Sequence, residues 1–254
     1  MKKTKVILCG ACGKMGGNVL SLLQDDLDAV AVCGVDLFPR EIGIPVYKSF
    51  ADVQEKADVM IDFSSADNLQ ERLEYAKENG LAIVLASTGF SQEQLALVEE
   101  YSKEIAIFKT ANLSLGVNLM QALCKAAAEV LGDAFDVEII EKHHNLKKDA
   151  PSGTALMLAD TINDAFNGEK RYVNGRDGIV GAREKSEIGI HAVRGGTIVG
   201  EHEVMFAGED EIITITHSAR SKRVFAAGAI RAAKFISGKA AGMFEMKDLL
   251  AQEN

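Results

Sequence analysis

The sequence predicts an α/β protein in two parts, and three observations predict it. Short apolar runs alternate with helix-patterned stretches up to about residue 111. Beyond that point the rhythm changes to a long helix followed by half-buried strands. A glycine-rich turn joins the first apolar run to the first helix. Strands that alternate with helices imply a parallel sheet covered on both faces, because each crossover helix lies on a face of the sheet. The later pattern suits an α+β domain with a mixed or antiparallel sheet.

The elements follow in order. Residues 6–9 form an apolar run that stops at Gly10, which reads as a buried strand and a tight turn. Residues 14–23 carry apolar side chains at helical spacing, and residues 30–35 form a second strand ending at Asp36. Residues 59–63 give a third strand, followed by a helix over 67–79 that Gly80 stops. Residues 82–85 form a fourth strand; Ser91 and Gln94 then have the spacing of a capping box. Residues 105–108 form a fifth.

After Ala111 the pattern predicts a helix over 117–131, an alternating strand over 135–140 and a helix over 154–166. Three β-rich segments follow at 187–193, 197–206 and 211–216. Arg194-Gly195-Gly196 and Gly208-Glu209-Asp210 are read as hairpin turns between them. Residues 168–186 read as a long loop, and residues 222–236 as an alanine-rich buried helix.

Bulk properties narrow the function. The 28 basic residues against 37 acidic ones give a net charge of −9, which argues against nonspecific nucleic-acid binding. No apolar run reaches the length of a membrane span. The start, Met-Lys-Lys-Thr-Lys, is followed by an apolar segment too short for a signal peptide, so the expected compartment is the cytoplasm. Cys9 and Cys12 form a CxxC, but no second ligand pair accompanies it; all four cysteines are expected to be free thiols.

The turn Gly10-Ala11-Cys12-Gly13-Lys14-Met15-Gly16 follows a strand and opens a helix. Glycines there let the backbone turn sharply and let a pyrophosphate approach the helix N-terminus. Asp36 ends the next strand, where a carboxylate can accept both ribose hydroxyls of an adenosine. It would repel a 2′-phosphate, whereas Arg40 and Lys14 would offset that repulsion, so NADH or NADPH are both open. Phe63-Ser64-Ser65 and Ser87-Thr88-Gly89 follow the third and fourth strands, at the edge where such sheets bind ligands.

The segment from Glu141 to Thr154 is a cationic island on an acidic chain. Two adjacent histidines, His143 and His144, leave the end of a strand and point to opposite sides. Histidine is suited to proton transfer near neutral pH. Lys147 supplies a point charge. Ser152 is a candidate helix cap, and Gly153 and Thr154 bring backbone N–H groups able to hold a carboxylate. The set suits a small dicarboxylate that also needs a proton. Adjacent histidines rarely share one tetrahedral metal, so no metal is expected.

Glu141-Lys142-His143-His144, then Lys147, then Asp149-Ala150-Pro151-Ser152-Gly153-Thr154-Ala155 resembles the signature of the 4-hydroxy-tetrahydrodipicolinate (dihydrodipicolinate) reductase family. The turn at Gly10, the runs Asp62-Phe63-Ser64, Ser87-Thr88-Gly89-Phe90 and Ala111-Asn112, and Val193-Arg194-Gly195-Gly196 with Val199-Gly200-Glu201-His202 are similar to that family as well. The resemblance spans nearly the whole chain. It implies a Rossmann-like dinucleotide-binding domain, residues 1–113 with 222–254, and an α+β substrate-binding and oligomerisation domain, residues 114–221. It also implies a homotetramer and an NAD(P)H-dependent reduction in diaminopimelate and lysine biosynthesis. His143 would be the proton donor, Lys147 the catalytic cation, and His144, Ser152, Gly153 and Thr154 the substrate site. Gly10, Gly13, Lys14, Met15, Gly16, Asp36, Phe63, Ser64, Ser87, Thr88, Gly89, Ala111 and Asn112 would hold the dinucleotide. Cys12 stands where the family often has glycine, and Leu113 where an aromatic is common.

Overall fold

The computed structural model describes residues 2–87 and 89–253. The chain divides into two compact units, Met1–Ser114 with Lys222–Asn254, and Leu115–Ser221.

The first unit is built on a seven-stranded sheet. Its strands are β1 (Thr4–Cys9), β2 (Ala29–Val35), β3 (Val46–Tyr47), β4 (Val59–Asp62), β5 (Ala82–Leu85), β6 (Ala106–Lys109) and β12 (Gly242–Phe244). They lie in the order β12-β6-β5-β4-β1-β2-β3, and every pairing is parallel. The order reverses direction at β1, so the turn that follows β1 sits at the topological switch point where such sheets bind ligands.

Parallel strands buried on both faces must be apolar throughout, and β1 shows how the two faces are filled. Val6 and Leu8 join a core beneath α1 (Lys14–Leu23) and α6 (Arg223–Ile236). Ile7 and Cys9 join a second core beneath α2 (Leu69–Glu78) and α3 (Gln92–Tyr101). Helix α3 starts with the expected capping box of Ser91 and Gln94. Helix α2 ends at Asn79 and Gly80, the latter at φ +63. In α6 a Cβ on Gly228 would come 1.7 Å from the Leu113 carbonyl oxygen, so only glycine lets this helix seat.

The second unit carries β7 (Asp136–His143), β8 (Arg171–Asn174), β9 (Glu187–Arg194), β10 (Gly200–Ala207) and β11 (Ile212–Ala219). They form a mixed sheet in the order β11-β10-β7-β9-β8. Helices α4 (Leu115–Leu131) and α5 (Gly153–Ala165) cover one face. Met120, Cys124, Leu158 and Ile162 meet Val137, Ile139, Ile190, Val204 and Phe206 there.

Two expectations need correction here. The stretch expected to be a long loop, 168–186, contains the edge strand β8. Its Arg-Tyr-Val-Asn sequence has polar ends and no fully buried position, so the alternation that marks a strand is missing. Arg194-Gly195-Gly196 is not a hairpin turn, because β9 and β10 are not neighbours. β7 lies between them, parallel to β9 and antiparallel to β10. The glycines instead pair with the chain leaving β7: Gly195 N–H donates to the His143 carbonyl at 2.9 Å, and Asn145 N–H to the Gly196 carbonyl at 3.2 Å. The turn at Gly208 does join paired neighbours, β10 and β11. Strands β3 and β12 were not expected; the final helix is α7 (Met246–Glu253). Two or three residues of strand are too few to show a period.

The four cysteines are free, and three of them are buried. Among the described residues no helix is long and apolar enough to cross a membrane.

Candidate active site

In the first unit the glycine turn is shaped by close backbone approach. Gly10 has φ +71, and a Cβ there would meet the Phe63 carbonyl oxygen at 2.9 Å. A Cβ on Gly16 would lie 2.3 Å from the Gly10 carbonyl, so α1 can start this close to the turn only with glycine. Gly13 is the N-cap of α1 and offers no side-chain cap. The helix start therefore presents backbone N–H groups and a partial positive charge, which fits a pyrophosphate. Lys14 is exposed beside it, and Met15 is half-buried against the core.

Asp36 closes on this turn. One carboxylate oxygen accepts from Cys12 N–H at 2.9 Å and the other from Phe38 N–H at 3.0 Å. Each oxygen has a second lone pair for a ribose hydroxyl. Arg40 donates to the Cys12 carbonyl, so acid and guanidinium grip the same residue. Gly10, Asp36 and Ser64 line one crevice, and Cys12, Gly13, Lys14 and Arg40 line another.

Asp62, at the end of β4, organises the next two turns. It is fully buried and accepts from Ser64 N–H at 2.9 Å, Ser64 Oγ at 2.5 Å and Ser87 Oγ at 3.3 Å, with Arg72 Nε at 2.9 Å. Sequence reasoning gave Asp62 and Arg72 no role. Gly89 is exposed at φ +84, whereas Thr88 lies outside the described residues. Ala111 is exposed after β6, and the Asn112 side chain accepts from Ser114 N–H at 2.8 Å, turning the chain toward α4.

The second unit gathers the histidines. Along β7 the buried positions run Val137, Ile139, Glu141, His143, so the core-facing side of the strand turns ionic at its end. Glu141 Oε2 is 2.6 Å from His143 Nδ1. The adjacent strand β9 supplies Arg194, whose two terminal nitrogens donate to both Glu141 oxygens at 2.7 Å. Ser152 N–H donates to the same carboxylate at 3.0 Å. Burial works to raise the pKa of Glu141, but the hydrogen bonds from Arg194, His143 and Ser152 outweigh it and hold the group below its ordinary value.

On the other side of β7, β10 contributes Gly200 and His202. A Cβ at Gly200 would sit 3.1 Å from His143 Nε2, so glycine leaves the imidazole its room. The His143 and His202 rings meet edge to face at 5.2 Å. Burial first, then the neighbouring His143, pushes the His202 pKa down to about 4. His202 Nε2 is 3.0 Å from Ser152 Oγ, which also accepts from Ala155 N–H at 3.2 Å as the cap of α5. Ser152 thus spends its polar atoms inside the protein, and Gly153 and Thr154 form the first turn at the surface side of the helix. Lys147 Nζ lies 2.8 Å from Asp149, a carboxylate far more exposed than the lysine. His144 follows β7 half-buried, and Nδ1 of His144 and of His202 are buried without a hydrogen-bond partner among the described residues.

Glu141, Arg194 and His202 are therefore part of the cluster, and no role was read for them from the residues. The available signal was a charged residue at an inward position of an alternating strand.

The N-terminal model of the dihydrodipicolinate reductases matches residues 4–113, and the C-terminal model matches residues 116–250. The chain belongs to the dihydrodipicolinate reductase family. It is 50% identical to a 4-hydroxy-tetrahydrodipicolinate reductase of Caldanaerobacter subterraneus subsp. tengcongensis, over 97% of this chain and 98% of the relative. It is 46% identical to one of Clostridium novyi, over 99% of this chain and 100% of that one. A solved reductase of this family, from Paenisporosarcina sp. TG-14 with dipicolinate bound, superposes with a TM-score of 0.79 at 25% identity, covering 96% of this chain and 97% of the other.

Proposed function

We propose that this chain reduces 4-hydroxy-tetrahydrodipicolinate to tetrahydrodipicolinate with NADH or NADPH, as a step of diaminopimelate and lysine biosynthesis. Family membership supports the reaction. The single observation that carries the mechanism is the buried Glu141–His143 pair at the end of β7, beside Lys147 and the start of α5.

The overall change removes water from the ring and adds a hydride and a proton. The bound dinucleotide supplies the hydride; Gly10, Gly13, Lys14, Met15, Gly16 and Asp36 would hold its phosphates and adenosine ribose, with Phe63, Ser64, Ser87, Thr88, Gly89, Ala111 and Asn112 toward the nicotinamide. His143 supplies the proton from Nε2. Lys147 draws electron density from the ring or binds one carboxylate, and His144, with Gly153 and Thr154, holds the dicarboxylate. Ser152 acts through its cap of α5 and its bond to His202. The dipicolinate bound by the Paenisporosarcina relative is a dicarboxylate ring of the class proposed as substrate here.

Asp36 favours NADH and Arg40 favours NADPH, which supports use of both. Exposed Ile212 and Ile213 on the edge strand β11 support association through the mixed sheet, as a homotetramer. Four unpaired cysteines suit a reducing cytoplasm.

The test is nicotinamide oxidation followed by its absorbance, with substrate generated in place by the preceding synthase. Turnover that depends on the synthase product supports the reading; dinucleotide binding without turnover overturns it.

A further inference from the structure

We propose that Glu141, clamped by Arg194, is a positioning residue that fixes the Nδ1–H tautomer of His143 and so makes Nε2 the atom that carries and delivers the proton. The proposal rests on the reading of His143 as proton donor. It follows from which groups remain unspent around that imidazole.

Neutral imidazole has one N–H and one bare nitrogen, and the hydrogen bond made by one nitrogen decides the state of the other. His143 Nδ1 faces a carboxylate at 2.6 Å. An ionised carboxylate only accepts, so the pairing requires Nδ1–H. Glu141 remains ionised because it also accepts both Arg194 bonds and the Ser152 N–H. It orients the ring without taking the proton.

Three neighbouring strands and one helix start set this arrangement. β7 places Glu141 and His143 two residues apart on its buried face. β9 pairs His143 with Arg194 in register, and that guanidinium also donates to the Asp149 carbonyl at 2.7 Å, tying the loop before α5 to the strand. β10 brings Gly200 beside His143 and His202 opposite Glu141. The charged or titratable groups around His143 are thus Glu141 on its own strand, Arg194 through Glu141, and His202 across the sheet; Lys147, paired with Asp149 in the loop, acts on His202. Among these Glu141 is the group in hydrogen-bond contact with the ring.

The proton step balances. The Nε2–H bond of the imidazolium breaks, and its electron pair stays on the ring. The proton bonds to the ring carbon of the substrate left electron-rich by hydride addition from the reduced dinucleotide. His143 is then neutral with Nδ1–H still on Glu141, and water reprotonates Nε2.

Two measurements test this. Histidine-selective nitrogen NMR of the wild-type protein, with the His143 signals assigned by their loss in His143→Gln, should show Nδ1–H in the neutral ring; an Nε2–H tautomer overturns the proposal, and this holds even if no Glu141 variant folds. In Glu141→Gln, kcat should fall about 10²-fold while KM changes less than about threefold, with part of the loss restored in Glu141→Asp. Folded Glu141→Gln with wild-type kcat, alongside an inactive His143→Ala, overturns this proposal alone. A fully active His143→Ala would instead remove the proton-donor reading beneath it.

Discussion

Ser152 Oγ and His202 Nε2 lie 3.0 Å apart and are both buried, joining the cap of α5 to the middle of the sheet. Oγ accepts from Ala155 N–H and still has a second lone pair and its own hydrogen, so it meets His202 Nε2 as acceptor or donor according to the imidazole tautomer. Burial first, then the neighbouring His143, hold the His202 pKa near 4, so the ring is neutral at neutral pH.

This fixes how stability should depend on pH. The folded-state pKa of His202, about 4, lies below its ordinary 6.5. Between those values the unfolded chain binds more protons, so stability rises with pH in that window. Acidification from about 6.5 toward about 4 should remove up to roughly 3 kcal/mol from this source. Urea unfolding at a series of pH values should show the slope, and His202→Gln should flatten it. His217, also lowered by burial, would leave a smaller residual slope of the same sign. An unchanged slope in His202→Gln contradicts the assignment.

Lys147 and Asp149 make the second prediction. Lys147→Ala should lose roughly 10²-fold or more in kcat/KM, as expected for removal of a preorganised cation. Asp149 competes for the same ammonium at 2.8 Å while itself facing water. Asp149→Asn should therefore lower KM about threefold, with kcat kept and Tm within about 4 °C, because exposed ion pairs contribute little stability. A raised KM would show that Asp149 helps binding instead.

Arg40 makes the third. Arg40→Ala disturbs the Cys12 carbonyl for either coenzyme, but removes a cation that matters only to a 2′-phosphate. The ratio of kcat/KM for NADPH over NADH should drop about tenfold. Equal losses for both coenzymes would place the phosphate elsewhere.

Much of this was legible in the sequence, for identifiable reasons. β1 and its glycine turn were readable because a doubly buried parallel strand must be uniformly apolar, and a close turn must be glycine. His143, Lys147 and Ser152 were readable because they fall within one short segment. Arg194 was not assigned, because it reaches Glu141 from 53 residues further along the chain, through a pairing of β7 with β9 that no local period encodes. The same non-local pairing defeated the hairpin reading of Gly195 and Gly196: two β segments joined by a short glycine turn look alike whether or not a third strand separates them. Asp62 falls in a run similar to the family, yet its task of joining the turns after β4 and β5 depends on Arg72 from α2.

The most direct test of the central claim compares turnover with binding in His143→Ala. Pyridine-2,6-dicarboxylate affinity should remain within about fivefold of wild type by titration calorimetry, while kcat falls by about 10²- to 10⁴-fold, as expected for loss of a positioned proton donor. A variant that turns over at the wild-type rate, or one whose kcat and affinity fall together, would contradict a proton delivered by His143.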